Sequence, residues 1–415
     1  MVTLAARKRV PGRQRFAGIF SGDTATFIAL FAGGLLVTAF YRLEWWHNFL
    51  FGRSTTDFPA AYGLIAAACA MGWRGLLRRG FVWAEPAQLT WMDFASVDRR
   101  RVVAGRLWAS WTGVTVTVGY LGALVVAAGR GLDETWAAAA ALVGASALLA
   151  MATARRTRLP GETAGPLVLA VAGLLVAADG LGPRPVEVLA GVLLAAALVT
   201  AFTGDSVSHA GRLTLVEGWN GRLLRAMAVT FVDPMLILPE ARPVGWLSLR
   251  HPTALRLALA GVAGRSRYFG SALLITIMVG AGRVALPALP GVVLLSLGAF
   301  AVLMPFGGGL GELWRNAGRR RWLGTPDREL IVVHGLVFAG LVAVWGVLLA
   351  LVALWLGVVV PGSSWLALPL AVLAVLRAVA RPPINYSVSG GGLMGQALRG
   401  PDVLVGGTLV LLLLG

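Results

Sequence analysis

The sequence predicts an all-α integral membrane protein with about eleven transmembrane helices. Three observations carry that reading. Of the 415 residues, 57% are hydrophobic and 13% charged, with a mean hydropathy of +0.77, whereas a soluble globular chain carries roughly 25% charged residues. Apolar runs long enough for a hydrocarbon core about 30 Å thick recur along the whole chain. The basic residues fall between those runs in a strongly one-sided pattern.

The runs lie at 24–42, 58–76, 107–128, 135–153, 164–179, 185–203, 268–283, 290–306, 331–359, 364–380 and 403–415. With the N-terminus on the cytoplasmic side, the loops 77–106, 154–163, 204–267, 307–330 and 381–402 share that side. They and the flanking span ends then hold 31 of the 36 Lys and Arg; only Arg42, Arg53, Arg130, Arg184 and Arg283 fall opposite. This is the positive-inside asymmetry. The net charge of +17 therefore orients a multi-pass protein in the cytoplasmic membrane and points to lipid, not nucleic acid, as its surroundings. Arg7, Lys8, Arg9, Arg13 and Arg15 lead into a full-length run, which reads as a retained anchor and not a cleaved signal.

Other features read as structural. Trp45, Trp46, Trp73, Trp108, Trp136 and Trp365 stand near span ends, where amphipathic rings settle at the interface. Small residues crowd 137–150 (AAAAALVGASALLA), suiting close helix contact. The single Cys69 lies in an apolar run, so no disulfide framework or thiolate metal site arises.

The same polar punctuation occurs twice. FASVDRRRVV and LGTPDRELIV hold the two Asp-Arg dipeptides of the chain, each with Ser or Thr two residues before the Asp and a long apolar run after it. From Arg99 to the basic end of the fourth run, Arg155, is 56 residues; from Arg328 to the matching Arg381 is 53. The chain reads as two parallel six-span-like halves, 1–203 and 268–415, joined by a cytoplasmic or interfacial connector, 204–267. Such a plan makes a pseudo-dimer within one chain, and a homodimer remains open. The second half lacks its last span: DVLVGGTLVLLLLG has about 13 apolar residues where roughly 20 are needed to cross. The sequence there is either a fragment or ends in the membrane against a partner. Ser96 and Thr325 are suited to N-cap the following helices, with Pro326 at the first helical position and Asp98 and Asp327 in the first turn.

Ahead of each Asp-Arg lies a short segment unable to cross. AEPAQLTWMDFA, 84–95, predicts a Pro-initiated helix carrying Leu89, Trp91, Met92 and Phe94. GELWRNAGRRRWLG, 311–324, carries Trp314, Trp322 and Arg319–Arg321. A basic loop near anionic lipid explains the arginines; a lever pushed by a soluble protein explains them equally.

GFVWAEPAQLTWMDFASVDRRRVV resembles the cytoplasmic loop after the second span in permease subunits of ABC-2-type exporters, of the large pseudo-duplicated actinobacterial kind. LGTPDRELIVVHG resembles the second-half version, and LMGQALRGPDVLVGG, 393–407, a stretch before the penultimate span. Val97 stands where that family has Pro. The resemblance implies ATP-driven export of an unidentified substrate, powered by a dimeric ATPase in a separate subunit that brings ATP and Mg. It also implies docking of that subunit on the lever at 84–95 and the segment 311–328. The docking candidates are Glu85, Pro86, Leu89, Trp91, Met92, Phe94, Asp98 and Arg99 in the first half, and Trp314, Trp322, Asp327 and Arg328 in the second.

Rival chemistry finds less support in the residues. A phosphate-binding Walker A loop needs a Gly-Lys pair, and the only lysine is Lys8 in ARKRV, so the chain itself is expected to bind no cofactor and not to be an enzyme. No Asp, Glu or Lys lies deep in a predicted span, with Asp179 and Glu187 at outer edges and Arg283 in an outer loop, which disfavours an ion-coupled carrier. His47, His209, His251 and His334 are scattered; Glu44 with His47 and Asp205 with His209 are the close acid–histidine pairs. Glycines 390–392 lack the lysine and strand of a phosphate cradle and read as flexible loop. A secondary transporter or lipid flippase is the second reading, and a membrane-embedded transferase the third.

Overall fold

The computed structural model describes residues 33–34, 36–52, 58–94, 99–129, 134–158, 161–178, 182–202, 207, 210–230, 238, 241–244, 253–381 and 398–414. Most of the first predicted span, Ser96, Val97, Asp98, Asp205, His209, His251 and most of the 381–402 loop lie outside the described residues. The described chain is all-helical, with no strand. Among the described residues, eight helices are long and apolar enough to cross a membrane: Ala60–Leu77, Arg99–Ala128, Glu134–Ala154, Pro183–Ala201, Ser266–Ala285, Gly291–Arg315, Asp327–Trp355 and Gly362–Val379. Their outer faces are apolar too: Val344, Val347, Leu351 and Leu354 stand exposed along one helix, and Val188, Val192 and Val199 along another. Surface of that kind suits lipid, as in a multi-pass membrane protein.

In chain order the helices are α1 (Leu43–Leu50), α2 (Phe58–Leu77), α3 (Pro86–Phe94), α4 (Arg99–Ala128), α5 (Glu134–Ala154), α6 (Ala164–Ala178), α7 (Pro183–Ala201) and α8 (Arg212–Thr230). There follow α9 (Ala254–Ala263), α10 (Phe269–Ala285), α11 (Gly291–Leu303), α12 (Gly308–Arg315), α13 (Ala317–Trp322), α14 (Asp327–Trp355), α15 (Ala367–Val379) and α16 (Pro401–Leu414). Two predicted spans are short. At about 1.5 Å rise per residue, α6 with 15 residues and α16 with 14 fall below the thickness of a bilayer core.

Four pairings recur along the chain. In the first part α2 packs on α4, α5 and α6, and α4 on α5. In the second part α11 packs on α14, α15 and α16, and α14 on α15. The long helices that follow the two short segments match in length, 30 residues for α4 and 29 for α14. Each part has its own hydrophobic core, and α10 serves both: Leu274, Ile277 and Ala281 face the first, Ile275 and Val279 the second. That alternation is helical periodicity seen from two sides.

The tightest crossing is α2 on α6, and glycine permits it. A Cβ on Gly63 would sit 2.7 Å from the Ala177 Cβ and 2.9 Å from the Gly173 carbonyl oxygen. Small residues let two backbones approach where no water-driven burial favours contact. Gly63→Leu is expected to abolish the folded, monodisperse protein in size-exclusion chromatography. Gly113→Leu, at a helical position with open space around it, is expected to leave it intact.

Three local expectations are corrected. Thr325 does not cap α14: Pro326 occupies the N-cap and the Thr325 hydroxyl donates to the Leu323 carbonyl at 3.4 Å. Proline has no N–H and pre-sets φ, so it closes the entry by geometry, shifting the helix start to Asp327. The 311–328 lever is not a loop or a single helix. The span runs through a 3₁₀ turn, Met304–Gly307, into α12, and α13 follows after Asn316. Pro305 removes one helical N–H, which tightens that turn without ending the helix. Arg283 stands in the last turn of α10 and not in a loop, its Nη1 donating to the Leu289 carbonyl at 2.7 Å across the hairpin.

Candidate functional site

Helix α3 starts at Pro86, whose fixed φ suits a first helical position. Nine residues cannot hold a helix in isolation, so neighbours must fix it, and α8 does. The Ala84 N–H donates to the Leu215 carbonyl at 3.0 Å. Arg212 donates to Asp93 at 3.2 Å and to the Thr90 hydroxyl at 3.3 Å. Arg99, at the start of α4, forms an ion pair with the same Asp93 carboxylate. Just upstream, the Trp83 ring lies between two guanidinium groups, Arg106 at 3.4 Å and Arg222 at 3.9 Å from its centroid, with Trp219 at 5.2 Å. Arginine stacked on indole adds cation–π attraction to the packing.

This clamp decides which face of α3 is free. Leu89 is fully buried, while Trp91 is 74% and Phe94 84% exposed. Met92 and Glu85 are half-buried and Pro86 exposed. Leu89 is therefore an anchor of α3 in the core. Arg99 is engaged inside the chain. Asp98 lies outside the described residues.

The second segment is held by its own charges. Asn316 caps α13 by accepting from the Arg319 N–H at 3.2 Å. Arg320 bridges to Asp327 at 3.0 Å and lies 4.8 Å from the Trp314 centroid, tying α13 to the start of α14. Trp322 projects at 93% exposure, and Arg328 is also exposed. Trp314 and Asp327, like Leu89 and Arg99, act in holding the segment together.

Behind the segment, Arg265 is buried and paired with Glu312 on α12. Desolvation holds the pKa of its guanidinium below the ordinary arginine value, and the Glu312 carboxylate opposes that shift only in part. A Cβ on Gly308 would come within 2.7 Å of Arg265 Nε, so the Gly-rich turn makes room for the buried cation. Of the acid–histidine candidates, Asp205 and His209 lie outside the described residues, and His47 Nδ1 meets the Ala128 carbonyl at 2.7 Å, joining α1 to the end of α4. His334 is buried, its Nδ1 2.7 Å from the Leu330 carbonyl of its own helix. No group of three metal-ligating side chains occurs among the described residues.

Sequence reasoning missed α8. Its residues, RLTLVEGWNGRLLRAMAVT, mix arginines with leucines and carry no apolar run long enough to stand out within the connector. Its close seat is visible only in the fold, where a Cβ added at Gly218 would strike the Val82 carbonyl.

No protein family, curated protein or solved structure matches the chain. The fold and the candidate site define a class, an all-helical protein with eight apolar helices of membrane-spanning length among the described residues.

Proposed function

We propose that the chain is the membrane-spanning permease subunit of an ATP-driven ABC exporter of the ABC-2 type, powered by a separate ATPase dimer. The observation that carries this reading is the pair of aromatics, Trp91 and Phe94, standing exposed on a short helix that is clamped on its other side. A rigid helix with an apolar free face transmits a push, and water gives no reason to leave such rings uncovered. Trp322 supplies a like feature ahead of α14. The four recurring helix pairings favour two parallel halves, which would offer one lever to each ATPase subunit.

A lipid flippase is the second reading, favoured by one cleft. Between α4, α5 and α7 a 510 Å³ space is walled by Leu107, Leu148, Leu194 and Leu198, with Arg100 and Arg155 among its lining. Apolar walls with basic groups suit a lipid tail and an anionic headgroup.

The test begins with sidedness. In a background without the buried Cys69, cysteines at the exposed Gly80 and Gly318 are expected to react with an impermeant maleimide in inverted vesicles only. Photocrosslinkers at positions 91 and 322 should then capture an ATPase bearing Walker motifs. Labelling from outside intact cells, or capture only through the 381–402 loop, would sink the proposed docking.

A further inference from the structure

At the seam between the two parts, five arginines line one cleft of 430 Å³. Arg74, Arg78 and Arg158 come from the first part, and Arg242 and Arg267 from the segment that leads into α10; Tyr268 joins them. Two of the cations are set by that ring, Arg78 at 5.7 Å and Arg267 at 5.2 Å from its centroid. Among the described residues that line the cleft, Glu162 is the one carboxylate, and Arg79 holds it with two bonds of 2.9 and 2.8 Å. Its charge is therefore already matched. Arg74, Arg78, Arg158 and Arg242 line the same space, where like charges repel one another and attract an anion.

Arg74 provides an independent sign. It is 8% exposed, and it joins the two parts: Nε donates to the Ser271 hydroxyl at 3.0 Å and Nη2 to the Arg267 carbonyl at 3.1 Å. Its Nη1 is buried with no hydrogen-bond partner among the described residues. Buried polar groups in native proteins are nearly always paired, so such a donor calls for an acceptor. Guanidinium forks match carboxylate and phosphate oxygens two at a time, and a phosphate offers enough oxygens to engage several forks at once.

We propose that this cleft binds a phosphate-bearing anion that bridges the two parts of the chain. The anion is a free phosphate or the phosphodiester of an anionic lipid headgroup. The second source is reachable because Arg74 sits in the last turn of α2 and Arg267 just before α10, at the ends of two apolar helices.

The full-length protein, delipidated in a neutral detergent, is titrated with inorganic phosphate against chloride at constant ionic strength while thermal unfolding is followed. In parallel, protein reconstituted in phosphatidylglycerol and phosphatidylcholine is examined by native mass spectrometry for retained phosphatidylglycerol. A saturable rise in melting temperature with phosphate assigns the free anion; retention of one phosphatidylglycerol without a phosphate response assigns the headgroup. In either case Arg158→Gln with Arg242→Gln, both exposed in the free protein, should weaken binding at least tenfold. Those substitutions should leave the circular dichroism spectrum unchanged. Arg319→Gln with Arg321→Gln, on α13, should bind like the parent. No saturable response to either probe overturns the proposal, as does an equal loss in the α13 variant.

Discussion

On the proposed reading as an ABC permease, replacing Trp91 and Phe94 together by alanine is expected to abolish most ATP-coupled transport while the protein still folds and inserts. The two rings are 74% and 84% exposed, so their removal takes little from the hydrophobic core. The clamp beneath them, Asp93 with Arg99 and Arg212 and Leu89 in the core, is untouched. If they anchor an ATPase, each truncation costs about 2 kcal/mol or more, roughly 30-fold in docking affinity. Transport should fall while basal ATP hydrolysis by the partner persists, because the partner's own site is unchanged. Trp83→Ala is the contrasting variant: its ring stacks between Arg106 and Arg222, so folding itself should suffer. Unchanged transport in the Trp91/Phe94 double variant would end the lever reading and strengthen the flippase.

A large loss of stability is expected from Glu162→Ala. Arg79 is 6% and Glu162 18% exposed at the side chain, and they share a bidentate pair. Arg79 also donates to the carbonyls of Arg156 at 3.0 Å and Leu77 at 3.1 Å, so it cannot turn out to water when its partner is lost. Its backbone adds to the rigidity, with φ at 52°, a region that non-glycine residues rarely adopt. Removing one partner of a buried pair leaves an uncompensated charge and costs about 3 kcal/mol or more. Thermal unfolding in detergent should show a clear drop in melting temperature for Glu162→Ala and a smaller one for Glu162→Gln, which keeps an acceptor. Equal melting temperatures for the parent and Glu162→Ala would mean that water reaches Arg79.

Several elements were legible from residues alone. The eight long helices follow from apolar runs, because a backbone in lipid must satisfy its own hydrogen bonds and the helix does so within one segment. The short helix at 86–94 was legible from Pro86 and from a composition too polar to cross. The apolar residues on it were legible as a set, but not their roles. Leu89, Trp91 and Phe94 look alike in sequence; only the packed chain buries the first and leaves the others out.

The same division holds elsewhere. Helical character at 327–355 was written in the sequence, while the shift of its start past Thr325 depended on how Pro326 enters the turn. The arginines at 74, 79 and 265 were countable but unassignable, since their partners stand 197, 83 and 47 residues away. In water, the contrast between polar and apolar faces records which side of a helix is buried. Here the helices are apolar on every side, because lipid and protein interior are alike to a leucine. The sequence by itself thus determined that these segments are helices of crossing length. Which faces meet was decided only in the tertiary structure, by small residues such as Gly63 and Gly173 that let backbones touch and by buried ion pairs that join distant segments.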